Sequence, residues 1–429
     1  MSLLEEKARQ PVERALTGAG TKAQSNAGDA LADVKVVEFG AYAAGPCISK
    51  YLANFGARVV HVESRQRPDG FRLQYPPFKD GQVGLNRSGC FAFFNDSKHG
   101  VTLDLKNSAG QHLACRLVEW SDIVIENMRP GVMARLALDY ESLRERKPDL
   151  IMLSTSNMGQ TGPHAAHPGF GSQLSSLSGF THLIGECDGP PYFLYGPYID
   201  FIAVAFGGIA ALAALDYRRC TGQGSYIDLS QFETGVQFIS SALLDYSANG
   251  VVANRNGNRD VSAAPHGCYR CSDDEWCVIS CWDDLEWERF CRAAEQTGWL
   301  SDTRFRNAAQ RKEHESELNR LIADWASEQK AERLMWRLQC RRVHAARVNR
   351  VRDLFTDPQI AFRNIWQQQD HPELGNHAYR MVSYELSETP GSVRGAAPCL
   401  GADNEEVFME WLGLSRREYE DLSKQGAFS

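Results

Sequence analysis

The segment TGPHAAHPGFGSQLSSLSG, at residues 161–179, resembles the approach to an active site but has no strong nucleophile at its centre. Carboxylate and hydroxyl side chains can attack an acyl group, whereas glycine has no side chain to do so. Gly171 occupies the centre, and the adjacent Ser172 lacks an evident histidine base in the local sequence. Glu186 and Asp188 are the nearest carboxylates, in a predicted loop where such groups are usually solvated. The reactive position of this segment is therefore empty.

Three histidines within or just after this segment do not predict a metal site. The residues are His164, His167 and His182. The first two have the spacing of a metal-binding pair, but they lie in a predicted loop without a third ligand nearby. Solvated or hydrogen-bonded imidazoles are the more common state of such side chains. We predict no bound metal here.

The densest group of cysteines lies in CYRCSDDEWCVISCW, at positions 268, 271, 277 and 281. Four thiolates can hold zinc. The segment, however, has the pattern of a β-hairpin that turns at residues 272–275, and in strands the side chains alternate between two faces. Cys277 and Cys281 would share a face while Cys268 and Cys271 point oppositely, so the four sulfurs would not converge. We expect small buried hydrophobic side chains instead.

Length and charge restrict the class of protein. A chain of 429 residues favours two domains. The formal net charge of −8 disfavours nucleic acid as the main partner, because phosphate binding needs a basic surface. Residues 1–33 have no hydrophobic export signal and indicate a mobile leader, and the twelve cysteines are scattered, so we expect a cytoplasmic protein.

Alternating apolar runs and amphipathic segments predict the architecture. From Val34 to about Gly159 the pattern is β-turn-α-β repeated, which is typical of a doubly wound α/β domain with a parallel sheet. A later apolar segment, DFIAVAFGGIAALAALDYRR, is long enough to suggest a membrane span. Asp200 at its start and the lack of a second span favour a buried core helix, packed through Gly207 and Gly208, and no membrane association.

Nine segments in order resemble the family III CoA-transferases, the group that includes formyl-CoA and carnitine CoA-transferases. The segments are VVEFGAYAAGP, LANFGARVVHVE, VTLDLK, DIVIENMRPGVMARLALDYESL, SNMGQTGP, TGQGSYIDLS, DTRFRNAAQR, TDPQIAFRN and AAPCLGADNEEVF. The resemblance implies a large Rossmann-like domain built from residues 34–220 and 346–429, and a smaller α+β domain at residues 221–345. It also implies an interlaced dimer whose chains pass through one another like linked rings.

The resemblance also implies the chemistry of the family. An aspartate attacks the donor thioester, forms a mixed anhydride and releases CoA thiolate, and the acceptor carboxylate enters by further acyl exchange. In the family this aspartate follows a Pro-Gly-aromatic turn. Here Pro168, Gly169 and Phe170 match the turn, but Gly171 follows, so no catalytic residue is predicted in this chain. The racemase branch places a His-Asp pair at the turn, so Phe170-Gly171 disfavours that activity as well.

Three hypotheses can explain the missing aspartate. The chain is a non-catalytic subunit whose related partner supplies the aspartate; or Ser172, Glu186 or Asp188 substitutes for it in a homodimer; or the chain only binds or senses CoA thioesters. We favour the first hypothesis, because it explains why the surrounding family segments are present although Gly171 stands at the position of the aspartate. The benzylsuccinate CoA-transferases fit it, since they use two related subunits in anaerobic toluene degradation and exchange CoA between succinyl-CoA and an aryl-substituted succinate, a dicarboxylic acid.

The family's CoA-binding residues can be transferred by position. CoA or its thioester would be bound as a substrate and not as a covalently held cofactor. The pantetheine end would contact the turn after the first strand, and the phosphates and adenosine would contact later segments. The positions implied are Ala44, Gly45, Pro46, Lys98, Asn127, Met128 and Arg129. Arg72 and Lys106 are expected to be ordinary surface charges, and residues 254–269 resemble a loop that closes over the active site.

Overall fold

A six-stranded parallel sheet forms the centre of this computed structural model, which describes residues 29–429. The strands are β1 (Lys35–Phe39), β2 (Arg58–Glu63), β3 (His99–Thr102), β4 (Ile123–Glu126), β5 (Ile151–Ser156) and β6 (Ser225–Ser230). Their order is β3-β2-β1-β4-β5-β6, so the direction of winding reverses between β1 and β4. The predicted α/β fold with a parallel sheet is confirmed. The predicted leader at residues 1–33 lies almost entirely outside the described residues.

Helices connect the strands and cover both faces of the sheet, as apolar strands buried on two sides require. In chain order they are α1 (Ala44–Asn54), α2 (Gly70–Leu73), α3 (Gly89–Asn95), α4 (Ser108–Trp120), α5 (Val132–Arg135), α6 (Tyr140–Arg144), α7 (Gly171–Leu177), α8 (Phe180–Leu183), α9 (Tyr198–Thr221), α10 (Gln231–Phe238), α11 (Ser240–Asn249), α12 (Asp284–Ala294), α13 (Gly298–Ser301), α14 (Ala308–Glu313), α15 (Glu315–Ala326), α16 (Ala331–Gln339), α17 (Pro358–Phe362) and α18 (Arg416–Lys424). Short 3₁₀ turns occur at Lys79–Gly81, Thr303–Phe305 and Val351–Phe355, and a π-helix at Glu406–Trp411.

The chain divides into two compact units. The larger comprises the described residues up to 180 together with 194–243 and 358–429, and the smaller comprises 181–193 and 244–357. The prediction had assigned residues 221–345 to the small domain. That boundary is wrong for β6, because this strand pairs in parallel with β5 and completes the central sheet of the larger unit.

The remaining strands form two small antiparallel sheets. The smaller unit contains β7 (His266–Arg270), β8 (Trp276–Ser280) and β9 (His344–Arg347) in that order, and the larger contains the hairpin β10 (Trp366–His371) and β11 (Gly375–Arg380). The predicted hairpin at the cysteine-rich segment is therefore the β7–β8 pair.

Cysteines of this hairpin pack as core side chains. Cys271, Cys277 and Cys281 are buried in a cluster with Trp287 and Phe290. Burial raises the pKa of the Cys277 thiol to about 12, so this thiol stays protonated and unreactive at neutral pH. Among residues 29–429, no group of three or more histidine, cysteine or acidic side chains is arranged to hold a metal ion.

Helix α9 has two different faces. Within the described part of the chain, it is the one helix long and apolar enough to cross a membrane by length and composition. One face is buried, and a Cβ at Gly207 would lie 2.4 Å from Ile48 Cδ1, whereas a Cβ at Gly208 would meet nothing within 4 Å. The opposite face exposes Phe206 and Ile209. The predicted core helix is therefore a core helix on one side only.

Candidate functional site

The reversal point between β1 and β4 holds the turn that was predicted to contact CoA. In doubly wound sheets ligands bind at this point, beyond the carboxyl ends of the strands. Asn127 fixes the turn: its Oδ1 accepts the Ala41 N–H at 2.9 Å, and its Nδ2 donates to the Ala41 carbonyl at 2.7 Å. A Cβ at Gly45 would lie only 3.3 Å from Asn127 Cγ. Ala44, Gly45 and Pro46 are buried in the first turn of α1.

Lys98 is buried beneath this turn. Its ammonium donates to Glu38 Oε2 at 2.7 Å, to the Pro46 carbonyl at 2.8 Å and to Asn95 Oδ1 at 2.8 Å. An ammonium has three donors, and all three are used. The predicted contact of Lys98 with a CoA phosphate does not fit this placement. Lys98 instead supports the turn from the interior of the protein.

Glu38 is the acidic centre of the same buried network. Besides Lys98, it accepts from the Ser49 hydroxyl at 2.5 Å and contacts His61 Nδ1 at 2.9 Å. Burial alone would raise the pKa of Glu38, but the charges of Lys98 and His61 outweigh it and hold that pKa well below its usual range. The carboxylate therefore stays ionised inside the protein.

Arg72 is not the surface charge that the sequence suggested. Its side chain is fully buried, and its guanidinium binds both oxygens of Glu63, with Nε–Oε1 at 2.9 Å and Nη2–Oε2 at 2.6 Å. The guanidinium also lies 3.5 Å from the ring centroid of Phe91. A charge can be buried where such pairing compensates its desolvation, and the sequence alone does not reveal that partner. Lys106 is exposed, as expected.

Met128 and Arg129 follow β4, and Arg129 borders a small cavity of about 130 Å³. Arg129, Glu126 and Tyr226 are among the residues that line this cavity. Glu126 Oε2 accepts the Met128 N–H at 2.7 Å, and burial raises the pKa of Glu126 to about 7. Asn127, Met128 and Arg129 thus follow β4 at the reversal point, and Asn127 turns its amide towards Ala41. Their predicted contact with the adenosine of CoA stays a prediction.

Gly171 is the first residue of α7 and is buried. A Cβ built on it would lie 2.7 Å from Pro197 Cβ and 2.8 Å from Pro197 Cα, closer than real side chains approach. The loop before it is fixed to the end of β5, because Asn157 Nδ2 donates to the Gly169 carbonyl at 2.9 Å. In this conformation the position has no space for any side chain.

The proposed substitutes for the aspartate belong to different units of the chain. Ser172 adjoins it, but the Ser172 hydroxyl donates to Gln173 Oε1 at 3.2 Å, an amide oxygen and not a base. Glu186 and Asp188 belong to the smaller unit. Their loop is joined there to the predicted closing loop, since the Gly257 N–H donates to the Gly185 carbonyl at 2.9 Å.

The three histidines belong to different units of the chain. His164 and His167 lie against each other in the exposed loop, with ring centroids 4.5 Å apart. His182 is in the smaller unit, where its carbonyl accepts from Arg255 Nη1 at 3.0 Å. The exposure of His164 and His167 fits the interpretation of solvated imidazoles, and the imidazole Nδ1 of His182 lies 3.4 Å from Arg255 Nη1.

Asp200 was not singled out as a site residue. It lies in the first turn of α9, on the same helical face as the buried Val204 and Gly207, and its N–H donates to the Pro197 carbonyl at 3.0 Å. Within residues 29–429 its carboxyl group has no hydrogen-bond or ion-pair partner. Burial raises the pKa of Asp200 to about 7. The sequence feature that could have drawn attention to Asp200 is its position as a single carboxylate at the start of an apolar helix.

Replacement of Asp200 by asparagine should change how stability depends on pH. The unfolded chain releases this proton near pH 4, whereas the folded protein keeps it up to about pH 7. The folded state therefore binds more protons in this window, and the stability of the wild type falls as pH rises. As pH rises from 4 to 7, the free energy of unfolding of Asp200→Asn should increase by about 1–2 kcal/mol relative to that of the wild type. This value is smaller than the full effect of the pKa shift, because the side chain is partly exposed to solvent.

The measurement is urea unfolding of both proteins at several pH values across this window. Asp216→Asn, which removes an exposed carboxylate from the same helix, is the control and should not show the gain. Parallel stability curves for the wild type and Asp200→Asn would contradict the raised pKa.

Comparisons with known proteins agree on one family. A sequence model of CoA-transferase family III matches residues 31–404. The succinyl-CoA–D-citramalate CoA-transferase of Chloroflexus aurantiacus is 34% identical over 385 residues, which cover 90% of this chain and 94% of the relative. The succinyl-CoA–L-malate CoA-transferase alpha subunit of the same species is 31% identical over 91% of both chains. The beta subunit is 30% identical over 91% of this chain and 96% of its own.

A solved structure gives the same result. A CAIB/BAIF family protein from Brucella suis is similar with a TM-score of 0.83 at 28% identity, and the match covers 90% of this chain and 100% of the other. These matches confirm the resemblance predicted from the nine sequence segments. The narrower likeness to benzylsuccinate CoA-transferases stays a prediction.

Proposed function

Since the chain belongs to CoA-transferase family III, we propose that it is the subunit without a nucleophile in a heteromeric CoA-transferase. The enzyme would move CoA between succinyl-CoA and a carboxylic acid such as an aryl-substituted succinate. The packing of Gly171 against Pro197 carries this proposal, because a carboxylate cannot occupy a position that has no room for a Cβ. A related partner subunit supplies the aspartate.

The proposed reaction needs only that one carboxylate. The partner's aspartate attacks the thioester carbonyl, the acyl–sulfur bond breaks, and a mixed anhydride and CoA thiolate form. The thiolate then attacks the aspartyl carbonyl, which releases the donor acid and leaves an aspartyl-CoA thioester. The acceptor carboxylate repeats the two exchanges in reverse. This chain contributes the turn that Asn127 fixes and the residues beside β4, which would hold CoA.

An outward-facing apolar surface supports association with a partner. Phe206, Ile209, Leu212 and Tyr217 are exposed at helical spacing on the free face of α9. Contiguous apolar surface of this kind usually marks an interface. The similarity to both the alpha and the beta subunits of one transferase supports a heteromer of related chains. We propose that the two chains interlace, so that folding and association are one event.

The test is native mass spectrometry of the untagged complex from its source cells, followed by transferase assays. We expect a second subunit of similar size with aspartate after a Pro-Gly-aromatic turn. The pair should exchange CoA from succinyl-CoA, and this chain alone should show less than about 1% of that rate, since loss of a nucleophile costs many orders of magnitude. High turnover by this chain alone, unchanged in Ser172→Ala, would contradict both the partner and the serine hypothesis.

One observation favours a second candidate function. Asp200 has a carboxyl group without a partner in the described chain, one helical turn beyond the residue that Gly171 faces. In a homodimer this carboxylate would serve as the nucleophile. The chain alone would then be active, Asp200→Asn would abolish the activity, and hydroxylamine would trap an acyl adduct on the peptide that contains Asp200. Without turnover or an adduct, but with CoA-thioester affinity, the chain would be a binding protein.

A further inference from the structure

Three aromatic rings lie beside the Gly171 loop, and we name them the aromatic shelf: Tyr42, Tyr75 and Phe170. The ring centroid of Tyr42 is 5.9 Å from that of Phe170 and 6.4 Å from that of Tyr75, both in edge-to-face orientation. Phe170 is 58% exposed and Tyr75 is 41% exposed. Large aromatic rings normally bury most of their surface, so two exposed rings on a common neighbour leave a site for a further ring.

The shelf is held in place by the surrounding backbone. Tyr42 has a φ of +64°, a left-handed conformation that is unfavourable for an aromatic residue. Both Asp69 carboxylate oxygens accept the Tyr42 N–H at 3.1 Å. Gly70 makes room for the ring, because a Cβ there would lie 2.4 Å from Tyr42 ring atoms. Strained conformations persist where neighbouring groups enforce them, and they concentrate at functional sites.

The location of the shelf indicates which part of a ligand it meets. Tyr42 belongs to the turn after β1 at the reversal point, and Phe170 directly precedes Gly171. The shelf therefore adjoins the position at which the family's reacting carboxylate would stand. Arg129, which was predicted to lie beside the adenosine, borders a cavity whose lining includes none of the shelf residues.

We propose that the aromatic shelf binds a planar aromatic ring carried by the acyl part of the CoA thioester. This inference rests on the proposed function and deepens it, because it assigns recognition of the acyl group to this chain. The exposed edges and faces of Tyr75 and Phe170 can engage a phenyl group in edge-to-face or offset geometry. The substrate class is a CoA thioester of an aryl-substituted dicarboxylic acid.

The experiment measures the affinity of the purified protein, with any subunit that copurifies, for three probes. The probes are CoA, succinyl-CoA and phenylsuccinyl-CoA. We expect the wild type to prefer phenylsuccinyl-CoA. Tyr75→Leu and Phe170→Leu should each lower the affinity for phenylsuccinyl-CoA by about 2- to 10-fold, the usual contribution of one aromatic pair. The affinities for CoA and succinyl-CoA should not change. Phe362→Leu, a 67% exposed ring elsewhere in the larger unit, is the matched control and should change none of them.

Other results of these binding measurements would contradict the inference. Equal affinity of the wild type for the two thioesters would overturn the inference, whatever the variants do. An equal loss for all three probes would mean that the shelf stacks on the adenine of CoA, which also overturns it. If Phe170→Leu does not fold, Tyr75→Leu decides. The native mass and the transfer assay described above test the proposed function separately. If the aromatic shelf does not bind the aryl group, the outcome of those two measurements is unaffected.

Discussion

Replacement of Lys98 by methionine lowers the free energy of unfolding by about 3–5 kcal/mol, the usual cost of removing one partner from a buried ion pair. The ammonium of Lys98 satisfies the Glu38 carboxylate, the Pro46 carbonyl and the Asn95 amide oxygen in the protein interior. Methionine fills a similar volume but donates no hydrogen bond, so the Glu38 carboxylate loses its principal counter-charge. Urea unfolding monitored by circular dichroism measures the effect.

The matched control is Lys106→Met, which removes an exposed ammonium eight residues later and should change stability by less than about 0.5 kcal/mol. Adding Glu38→Gln to Lys98→Met should recover part of the loss, because the uncompensated charge is then gone. If Lys98 instead contacted a CoA phosphate, Lys98→Met would leave the unfolding curve unchanged and weaken CoA binding. That result would restore the role implied by the family resemblance.

The predicted and observed folds agree where the apolar pattern is local. The runs around Val34 and the alternation up to Gly159 encode β1 to β5 directly, since strands buried on both faces need continuous apolar residues. The sixth strand was assigned to the wrong domain. Its SYIDLS sequence alternates like a half-exposed strand, and only the pairing with β5 places it in the main sheet. Pairing between distant segments is not visible in a local pattern.

The sequence interpretation did not predict that the charged side chains of Lys98 and Arg72 are buried. Lys98 and Arg72 have the side chains of surface residues, and composition gives no reason to bury them. Their partners Glu38 and Glu63 lie on neighbouring strands β1 and β2 and are brought close only by the fold. The buried state of each cation therefore depends on tertiary contacts.

The candidate site was partly predictable. The sequence shows that Gly171 follows the Pro-Gly-aromatic turn. It does not show the contact of Gly171 with Pro197, which lies in a separate segment. The left-handed conformation of Tyr42 was also hidden, because tyrosine is not a residue that signals positive φ. The motifs thus drew attention to this loop, and the structure added the close packing of Gly171 and the aromatic rings beside it.

Introducing an aspartate by Gly171→Asp should not create a transferase. The Cβ would meet Pro197 Cβ at 2.7 Å and the backbone Cα at 2.8 Å, and a backbone atom cannot rotate away as a side-chain end can. Overpacking costs about 1–3 kcal/mol and an unpaired buried carboxyl about as much again, so we expect a loss of about 2–6 kcal/mol in unfolding free energy. Urea unfolding and a succinyl-CoA exchange assay on the purified chain measure the two effects.

Gly169→Asp is the matched control, since it makes the same chemical change two residues earlier. A Cβ at Gly169 meets its nearest atoms, Asn157 Nδ2 and Gln173 Cβ, at ordinary distances of 3.5 and 3.6 Å. This variant should remain close to the wild type in stability and should also be inactive. If Gly171→Asp instead folds with wild-type stability and exchanges CoA, the loop must be able to move away from Pro197. The chain would then lack only its nucleophile, and the close packing of Gly171 would no longer argue for a partner.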